Sequence, residues 1–156
     1  MLSYRKCVAI ILIKDRKVFV GQRGDMQNAW QLPQGGVEKG EDAVQAAKRE
    51  LFEETNIQSA EFLGMSHAYN YDFPKHIQQV LLRKYGKLNY LGQSVTFVAF
   101  SFYGDEAEIN LQKPFQEFSD WKWISIEELL RIIVYFKKAP YEEAIKELRE
   151  KKKILF

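Results

Sequence analysis

The strongest restriction on the fold of this chain is a cluster of acidic residues inside a helical segment, GGVEKGEDAVQAAKRELFEETNI, residues 35–57. Residues 42–55 are mostly Ala, Gln, Lys, Arg, Glu and Leu, which are good helix formers, so we predict a helix there. The acidic residues at its start suit the positive end of a helix. Asn56 follows, and Asn is the usual non-glycine residue in the left-handed position that ends a helix.

Three glutamates of this segment, Glu50, Glu53 and Glu54, are spaced three and four residues apart. On a helix they project within an arc of about 100°. Like charges at this spacing destabilise a helix by roughly 0.2–0.5 kcal/mol per pair, unless a cation lies among the oxygens. Mg²⁺ is the natural candidate, because it prefers carboxylate oxygens, retained waters and substrate phosphates. The alternative interpretation is an ordinary solvated acidic face.

The residues around these glutamates follow a longer pattern, G-x5-E-x7-R-E-U-x-E-E-x-G-U, in which U is aliphatic. Its positions fall on Gly35, Glu41, Arg49, Glu50, Leu51, Glu53, Glu54, Asn56 and Ile57. The segment therefore resembles the Nudix hydrolase box. Asn56 stands where that family has glycine, and since Asn tolerates a left-handed backbone, we expect the turn to be kept.

The length and composition agree with one globular domain, which we expect to span residues 1–156. The single cysteine, Cys7, excludes a disulfide within the chain and suits a reducing compartment; we expect it to be a small core residue. No run of 18 apolar residues predicts a membrane helix, and the first residues lack the pattern of a secretory signal. We therefore expect a cytoplasmic monomer without a membrane or disulfide partner.

The order of the predicted elements is strands, a helix, strands and then two helices. This order favours an α+β fold with a mixed sheet packed between helices. The Nudix resemblance implies an α/β/α sandwich with a mixed central sheet. The predicted strands are 7–13, 18–21, 80–83, 95–103 and 121–124. Residues 30–33 are predicted as a short extended piece and residues 60–73 as strand and loop. The predicted helices are 42–55, 126–135 and 140–152.

Four stretches outside the box extend the resemblance. They are YRKCVAI, AWQLPQGG, FQEFSDWKWIS and IVYFKKAPY, and they look like the bacterial RNA pyrophosphohydrolase and dinucleoside polyphosphate hydrolase branch. The resemblance implies a Mg²⁺-dependent hydrolase, with Mn²⁺ or another divalent cation as a substitute. It would remove pyrophosphate from the 5′-triphosphate end of RNA, leave 5′-monophosphate RNA and promote decay of the transcript.

Two other functions compete with this one. A hydrolase of diadenosine polyphosphates, such as diadenosine tetraphosphate, would use nearly the same residues. A non-catalytic ligand sensor with a Nudix-like fold is the third hypothesis, and the intact set of glutamates argues against it.

The resemblance also implies roles for individual acidic residues. Glu50, Glu53 and Glu54 would hold the metal ions, and Glu117 would be a further ligand or the general base. The carbonyl of Gly35 could add an oxygen ligand, because paired glycines let the backbone approach a ligand closely. Without the resemblance, Glu117 would be interpreted as a solvated loop residue.

Arg49 is expected to orient the glutamates through a bidentate pair with Glu41, although alone it would be an ordinary helix-surface residue. The remaining matches concern the substrate. Arg5, Tyr71, Phe136 and Lys137 correspond to positions that bind the nucleotide end, and Arg23 would contact phosphate. For Tyr71 and Phe136, packing in the core is the rival explanation.

Overall fold

The computed structural model describes residues 2–156; Met1, the first residue of the expected domain, lies outside the described part. One seven-stranded sheet lies at the centre. Its strands are β1 (Ser3–Lys14), β2 (Lys17–Arg23), β3 (Trp30–Gln31), β4 (Gln34–Gly36), β5 (Ala60–Asp72), β6 (Tyr90–Phe102) and β7 (Phe118–Ile124). The helices are α1 (Ala43–Thr55), α2 (Lys75–Tyr85), α3 (Ile126–Ile132) and α4 (Lys138–Glu150), with short 3₁₀ turns at Glu106–Glu108 and Tyr135–Lys137.

The main path through the sheet runs β3-β2-β1-β6-β5, with β4 paired to β1 and β7 paired to β2. β1 and β6 are parallel, in a register that joins Ser3 to Tyr90 and Ile13 to Ser101. The other pairs are antiparallel, so the sheet is mixed. The expected α+β fold with a mixed sheet is confirmed.

Both faces of β1 are buried, because the strand lies in the middle of the sheet. Cys7, 4% exposed, lies on the face that packs against α3 and α4. Val8, its neighbour, lies on the opposite face with Leu51 of α1. Helices therefore cover both faces, which confirms the α/β/α sandwich. The prediction that Cys7 is a core residue is also confirmed.

One predicted strand is wrong. Residues 80–83 belong to α2, not to a strand. The apolar run VLLR suggested a strand, but Ile77, Val80 and Leu81 have the three- and four-residue spacing of a helix. Gly86 ends that helix in a left-handed conformation with φ of 75°.

The C-terminal helices differ from the prediction at their boundaries. α3 begins after its cap Ser125 as expected, but it ends at Ile132 because Ile133 is extended. α4 begins at Lys138, so Pro140 lies inside the first turn, where its missing N–H has no helical partner to lose. No helix among residues 2–156 has the length and apolar character needed to cross a membrane.

Candidate active site

The helix α1 is fixed at both ends by local hydrogen bonds. Asp42 accepts from the backbone N–H of Gln45 at 2.8 Å, and the Gln45 side chain accepts from the backbone N–H of Asp42 at 2.9 Å. At the other end Asn56 adopts a left-handed conformation with φ of 68°, and its N–H donates to the carbonyl of Phe52. The turn expected of Asn56 is therefore present.

The buried face of α1 sets the direction of its glutamates. Leu51, with Ala46 and Ala47, packs in the core under the sheet. Glu54 is consequently only 7% exposed, whereas the side chain of Glu53 remains 57% exposed. Glu53 and Glu54, which lie on one arc of the helix, therefore differ in their exposure to solvent.

A pocket of about 250 Å³ gathers most of the predicted site. Glu50 and Glu54 from α1 meet Glu117 from the loop before β7 in this pocket, and Gly35 forms part of the wall. Glu53 is not among the lining residues. The pocket is lined by Arg5, Cys7, Gln31, Gln34, Gly35, Gly36, Glu50, Glu54, Gln93 and Glu117.

Arg49 connects the loop before α1 to the helix. Its Nε and Nη2 donate to the two carboxylate oxygens of Glu41 at 2.7 and 2.9 Å, which is the predicted bidentate pair. Its Nη1 donates to Glu50 at 2.7 Å and to Glu53 at 3.3 Å, and its Nη2 also donates to the Gly36 carbonyl at 2.9 Å. The guanidinium holds the pKa of Glu41 at about 2. Arg49 therefore fixes the positions of several carboxylates at once.

The two pocket carboxylates that come from α1, Glu50 and Glu54, are poorly solvated. Burial, and then the charges of Glu50 and Glu117, raise the pKa of Glu54 to about 9. Burial also raises the pKa of Glu50, against the opposing effect of Arg49. Oε2 of Glu54 is buried without a hydrogen-bond partner. A buried acceptor left unpaired costs about 1–3 kcal/mol.

These properties suit a hard divalent cation, which would supply the missing partner and offset the repulsion between carboxylates. Across residues 2–156, however, no three His, Cys, Asp or Glu side chains are grouped closely enough to enclose an ion. Glu50 is directed at Arg49 and Glu53 is mostly exposed, so the glutamates are near one another without converging on one point. The metal-ligand roles of Glu50, Glu53, Glu54, Glu117 and Gly35 stay predictions.

The paired glycines Gly35 and Gly36 leave room for charged side chains. A Cβ on Gly35 would lie 2.0 Å from Cδ of Glu50, and a Cβ on Gly36 would lie 2.5 Å from Nη2 of Arg5. Glycine at 35 is therefore required by the carboxyl group of Glu50, a reason that the sequence did not suggest.

The predicted nucleotide-binding residues lie around the same pocket. The hydroxyl of Tyr71 donates to Gln93, which lines the pocket, although Tyr71 itself is buried. Nζ of Lys137 lies 3.4 Å from Oε1 of Gln34. Burial, and then the charge of Arg23, lower the pKa of Lys137 to about 8.

Phe136 belongs to an aromatic cluster with Tyr71 and Tyr135. Its ring lies 5.8 Å from that of Tyr71 and 5.4 Å from that of Tyr135, and it is half-buried. Tyr71 is part of the hydrophobic core and Phe136 packs against it, as the rival explanation predicts. Partial exposure nevertheless leaves Phe136 a ring surface for a ligand.

Arg23 lies in a second, larger groove of about 680 Å³. It pairs there with Asp25 at 3.0 and 2.8 Å, which lowers the pKa of Asp25. Glu117 lines both cavities, so the groove continues from the pocket. The groove is lined by Arg23, Gly24, Asp25, Lys84, Gln116, Glu117, Phe118 and Ser119.

Several residues of the two cavities were missed by the sequence reasoning. Gln34 lies within the stretch AWQLPQGG, so its position next to the box was a signal that could have identified it. Gln93 and Lys84 carry no such signal, because their places depend on β6 and α2.

The sandwich fold and the box helix define a class of protein, and residues 3–148 match the sequence model of the NUDIX domain. The chain therefore belongs to the Nudix family. A protein named RNA pyrophosphohydrolase from Bartonella clarridgeiae is 40% identical over 168 aligned residues, which cover 99% of this chain and 95% of that protein. A protein of the same name from Rhodospirillum rubrum is 40% identical, with 94% of this chain and 88% of that protein covered.

Solved structures share the fold. The Escherichia coli dihydroneopterin triphosphate pyrophosphohydrolase superposes with a TM-score of 0.65 at 19% identity, over 90% of this chain and 96% of that one. At this identity the similarity concerns the fold alone.

Proposed function

We propose that this chain is a Mg²⁺-dependent hydrolase that removes pyrophosphate from the 5′-triphosphate end of RNA. The observation that carries the proposal is the 40% identity, over 99% of the chain, to a protein named RNA pyrophosphohydrolase. The product would be RNA with a 5′-monophosphate, which exposes the transcript to degradation.

The pocket supports the reaction class, because hydrolysis of a phosphoanhydride depends mostly on positioning and on neutralising charge. Glu50, Glu53 and Glu54, with Glu117 and the carbonyl of Gly35, are the ligands that we propose for the cation. When bound, Mg²⁺ or a substitute such as Mn²⁺ would polarise the phosphoryl oxygens and lower the pKa of a coordinated water.

The residues of the chain itself supply orientation and proton transfer. Arg49 holds Glu50 and Glu41 in place through the hydrogen bonds described above. A carboxylate must accept the proton of the attacking water, and Glu117 is the candidate that is exposed to solvent and lines the pocket.

The cationic side chains around the pocket would bind the nucleotide end of the substrate. Arg5, at the pocket wall, and Lys137, beside Gln34, would hold the 5′-terminal nucleotide and its phosphates. Phe136 would stack on a base, and Arg23 would contact phosphate from the adjoining groove. We further propose that residues 1–156 act as one domain and as a monomer in the cytoplasm, where transcripts with 5′-triphosphates are made.

The decisive experiment compares two substrates side by side. The purified protein receives Mg²⁺ with either 5′-triphosphorylated RNA that has an unpaired end or diadenosine tetraphosphate, and release of product is followed over time. We expect faster turnover of the RNA, with a loss of at least about 100-fold in Glu53→Gln. Glu61→Gln is the matched control, since Glu61 is an exposed glutamate on β5 outside both cavities.

The outcomes separate the three hypotheses. Faster cleavage of diadenosine tetraphosphate would assign the same site to dinucleoside polyphosphates. If either compound binds but no Glu53-dependent turnover is seen, the result would favour a ligand sensor and reject a catalytic role for the glutamates.

A further inference from the structure

Apart from Lys84, which lines the groove, the helix α2 contributes no residue to the site described so far, and its packing is unusual. None of its eleven residues is buried. Ile77 and Leu81 face the protein and are half-buried, whereas Val80 and Leu82 are 47% and 45% exposed. A helix with this much exposed surface is free to contact a second molecule.

The charge of this segment is of one sign. Between Asp72 and Asp105 the chain contains no Asp or Glu, while Lys75, Arg83, Lys84 and Lys87 are all exposed. Within residues 2–156 none of these four forms an ion pair with a carboxylate. Cations that are exposed and unpaired in this way are free to bind an anionic ligand.

The spacing places two of these cations, Arg83 and Lys84, on one side of α2, whereas Lys75 lies about 80° outside their arc and Lys87 lies beyond the helix. At 100° per residue, His76, Arg83 and Lys84 fall within an arc of about 100° that also contains Val80. The half-buried Ile77 and Leu81 lie beside this arc. The outer face of α2 is therefore a stripe that has an apolar residue in its middle and two cations near its C-terminal end.

The two ends of the stripe touch two parts of the site. At the first end, the ring of His76 lies 6.4 Å from the rings of Tyr135 and Phe136. At the second end, Lys84 lines the groove that contains Arg23 and Glu117. The ends are eight residues apart along the helix, which corresponds to about 12 Å.

An exposed aromatic ring lies near the same groove. Phe115 is 90% exposed and precedes Gln116 and Glu117, which both line the groove. The lining of the groove carries two cations, Arg23 and Lys84, and two carboxylates, Asp25 and Glu117, so the excess of positive charge lies on α2 beside it. Cations next to exposed aromatic rings are the arrangement by which proteins bind single-stranded nucleic acid without reading its sequence. Asp25 also lies in the groove, but Arg23 neutralises it.

We propose that the outer face of α2 and the groove next to it bind the RNA strand downstream of the 5′-terminal nucleotide. Arg83, Lys84 and Lys87 contact its phosphates, and Phe115 stacks on a base. The choice of RNA as the ligand rests on the proposed function. The location of the binding surface rests on the charge, exposure and position of α2.

The test measures binding instead of turnover. The ligand is a fluorescent, unstructured RNA of about 20 nucleotides with a 5′-monophosphate, compared with a dinucleotide of the same 5′ end. The variant is Arg83→Gln with Lys87→Gln, since neither residue lines either cavity. The control is Lys146→Gln with Lys151→Gln, which removes the same charge from exposed residues on and after α4.

The affinity of the long RNA should fall about tenfold in the α2 variant at about 0.1 M salt, and the slope of log K against log salt should become shallower by about 1.4. The dinucleotide should bind as before, and the control variant should retain affinity for both ligands. A separate Phe115→Ser variant should lower the affinity for the long RNA alone, by about fivefold or more.

Three results would overturn the proposal. They are unchanged binding of the long RNA, an equal loss in the control variant, and an equal loss with the dinucleotide. Vesicles that contain phosphatidylserine form a further arm: if the α2 variant loses vesicle binding but not RNA binding, the stripe is a membrane surface. Turnover of a triphosphorylated dinucleotide by the unmodified protein tests the proposed reaction separately, so its absence would reject the reaction while the binding result still stands.

Discussion

The helices α1 and α2 are similar in length and end in the same way, but they are held very differently. Each is followed by a left-handed residue, Asn56 or Gly86, whose N–H bonds to the carbonyl four residues back. α1 has a capping box at its start and a buried face that includes Leu51. α2 starts after Pro74 without a side-chain cap, and all its side chains remain at least partly exposed.

This difference corresponds to different tasks. Most of the stability of a helix in a protein comes from packing its apolar face, so α1 can hold crowded carboxylates in fixed positions. α2 lacks that packing, and such segments open locally at low free-energy cost. A fixed helix suits a reaction that needs accurate geometry, whereas a loosely held one suits a flexible polymer.

The largest effect should follow from changing the buried acid of α1. In Glu54→Gln we expect turnover to fall at least about 100-fold, because a proposed metal ligand loses its charge. The same change should stabilise the protein when a chelator is present. The pKa of Glu54 is raised from 4.5 to about 9, so the folded protein opposes ionisation.

The sign of the pH dependence follows from that shift. Below pH 4.5 the carboxyl group is protonated in both states, and stability is retained; between about pH 4.5 and 9 the unfolded state ionises first, and stability is lost. At pH 8 the Gln variant should therefore unfold at higher urea concentration, by at least about 1 kcal/mol, and the difference should vanish near pH 4. Equal stability at both pH values would contradict this account of Glu54.

The second-largest effect should follow from changing Arg49, the side chain that hydrogen-bonds to the glutamates. Arg49→Lys removes the planar fork that binds both oxygens of Glu41 and reaches Glu50. We expect about tenfold lower turnover and a loss of about 2 kcal/mol in urea unfolding, because half-buried carboxylates lose hydrogen bonds. Arg131→Lys on α3, an exposed arginine without an ion-pair partner among residues 2–156, should change neither quantity.

A matched pair of glycine substitutions tests the comparison between the helices directly. Lys48 in α1 and Gln79 in α2 are both exposed helix residues. Lys48→Gly should cost about 1 kcal/mol of global stability, since α1 unfolds with the core. Gln79→Gly should cost less than about 0.5 kcal/mol, and amides of α2 should exchange hydrogen faster than those of α1. Similar costs and similar exchange rates would mean that α2 is as firmly held as α1.

The smallest effect concerns Lys137, whose pKa is lowered to about 8 mainly by burial. As the pH rises through 8 this side chain loses its charge, so kcat/KM for RNA should fall a few-fold between pH 7 and 9. In Lys137→Arg the guanidinium keeps its charge, and that decline should disappear. A decline that is identical in Lys137→Arg would assign the titration to another group.

Local patterns predicted α1 and much of its network. Helix formers and an Asn at the end led to α1 and to Asn56, and the resemblance to the Nudix box implied the pair of Arg49 with Glu41. The same reasoning failed for α2, since the short apolar run of residues 80–83 is compatible with a strand or a helix when only its immediate neighbours are considered.

The rest of the site depends on contacts that local patterns do not contain. The burial of Lys137 follows from the way α4 packs, and the place of Gln93 follows from the pairing of β6 with β5. Gly35 was assigned a role toward a ligand, whereas its nearest constraint is the carboxyl group of Glu50. Side chains that meet across the sheet were therefore the part that sequence alone missed.

The parallel pairing of β1 with β6 has a consequence for how the chain folds. Its partners, from Ser3 with Tyr90 to Ile13 with Ser101, are nearly ninety residues apart, so the centre of the sheet needs a large loop to close before it is stabilised. During synthesis β1 can pair with β2 and β4, but its edge toward β6 must wait unpaired until β6 has left the ribosome. We therefore expect the sheet to form late and to be the step at which the nascent protein is most exposed to aggregation.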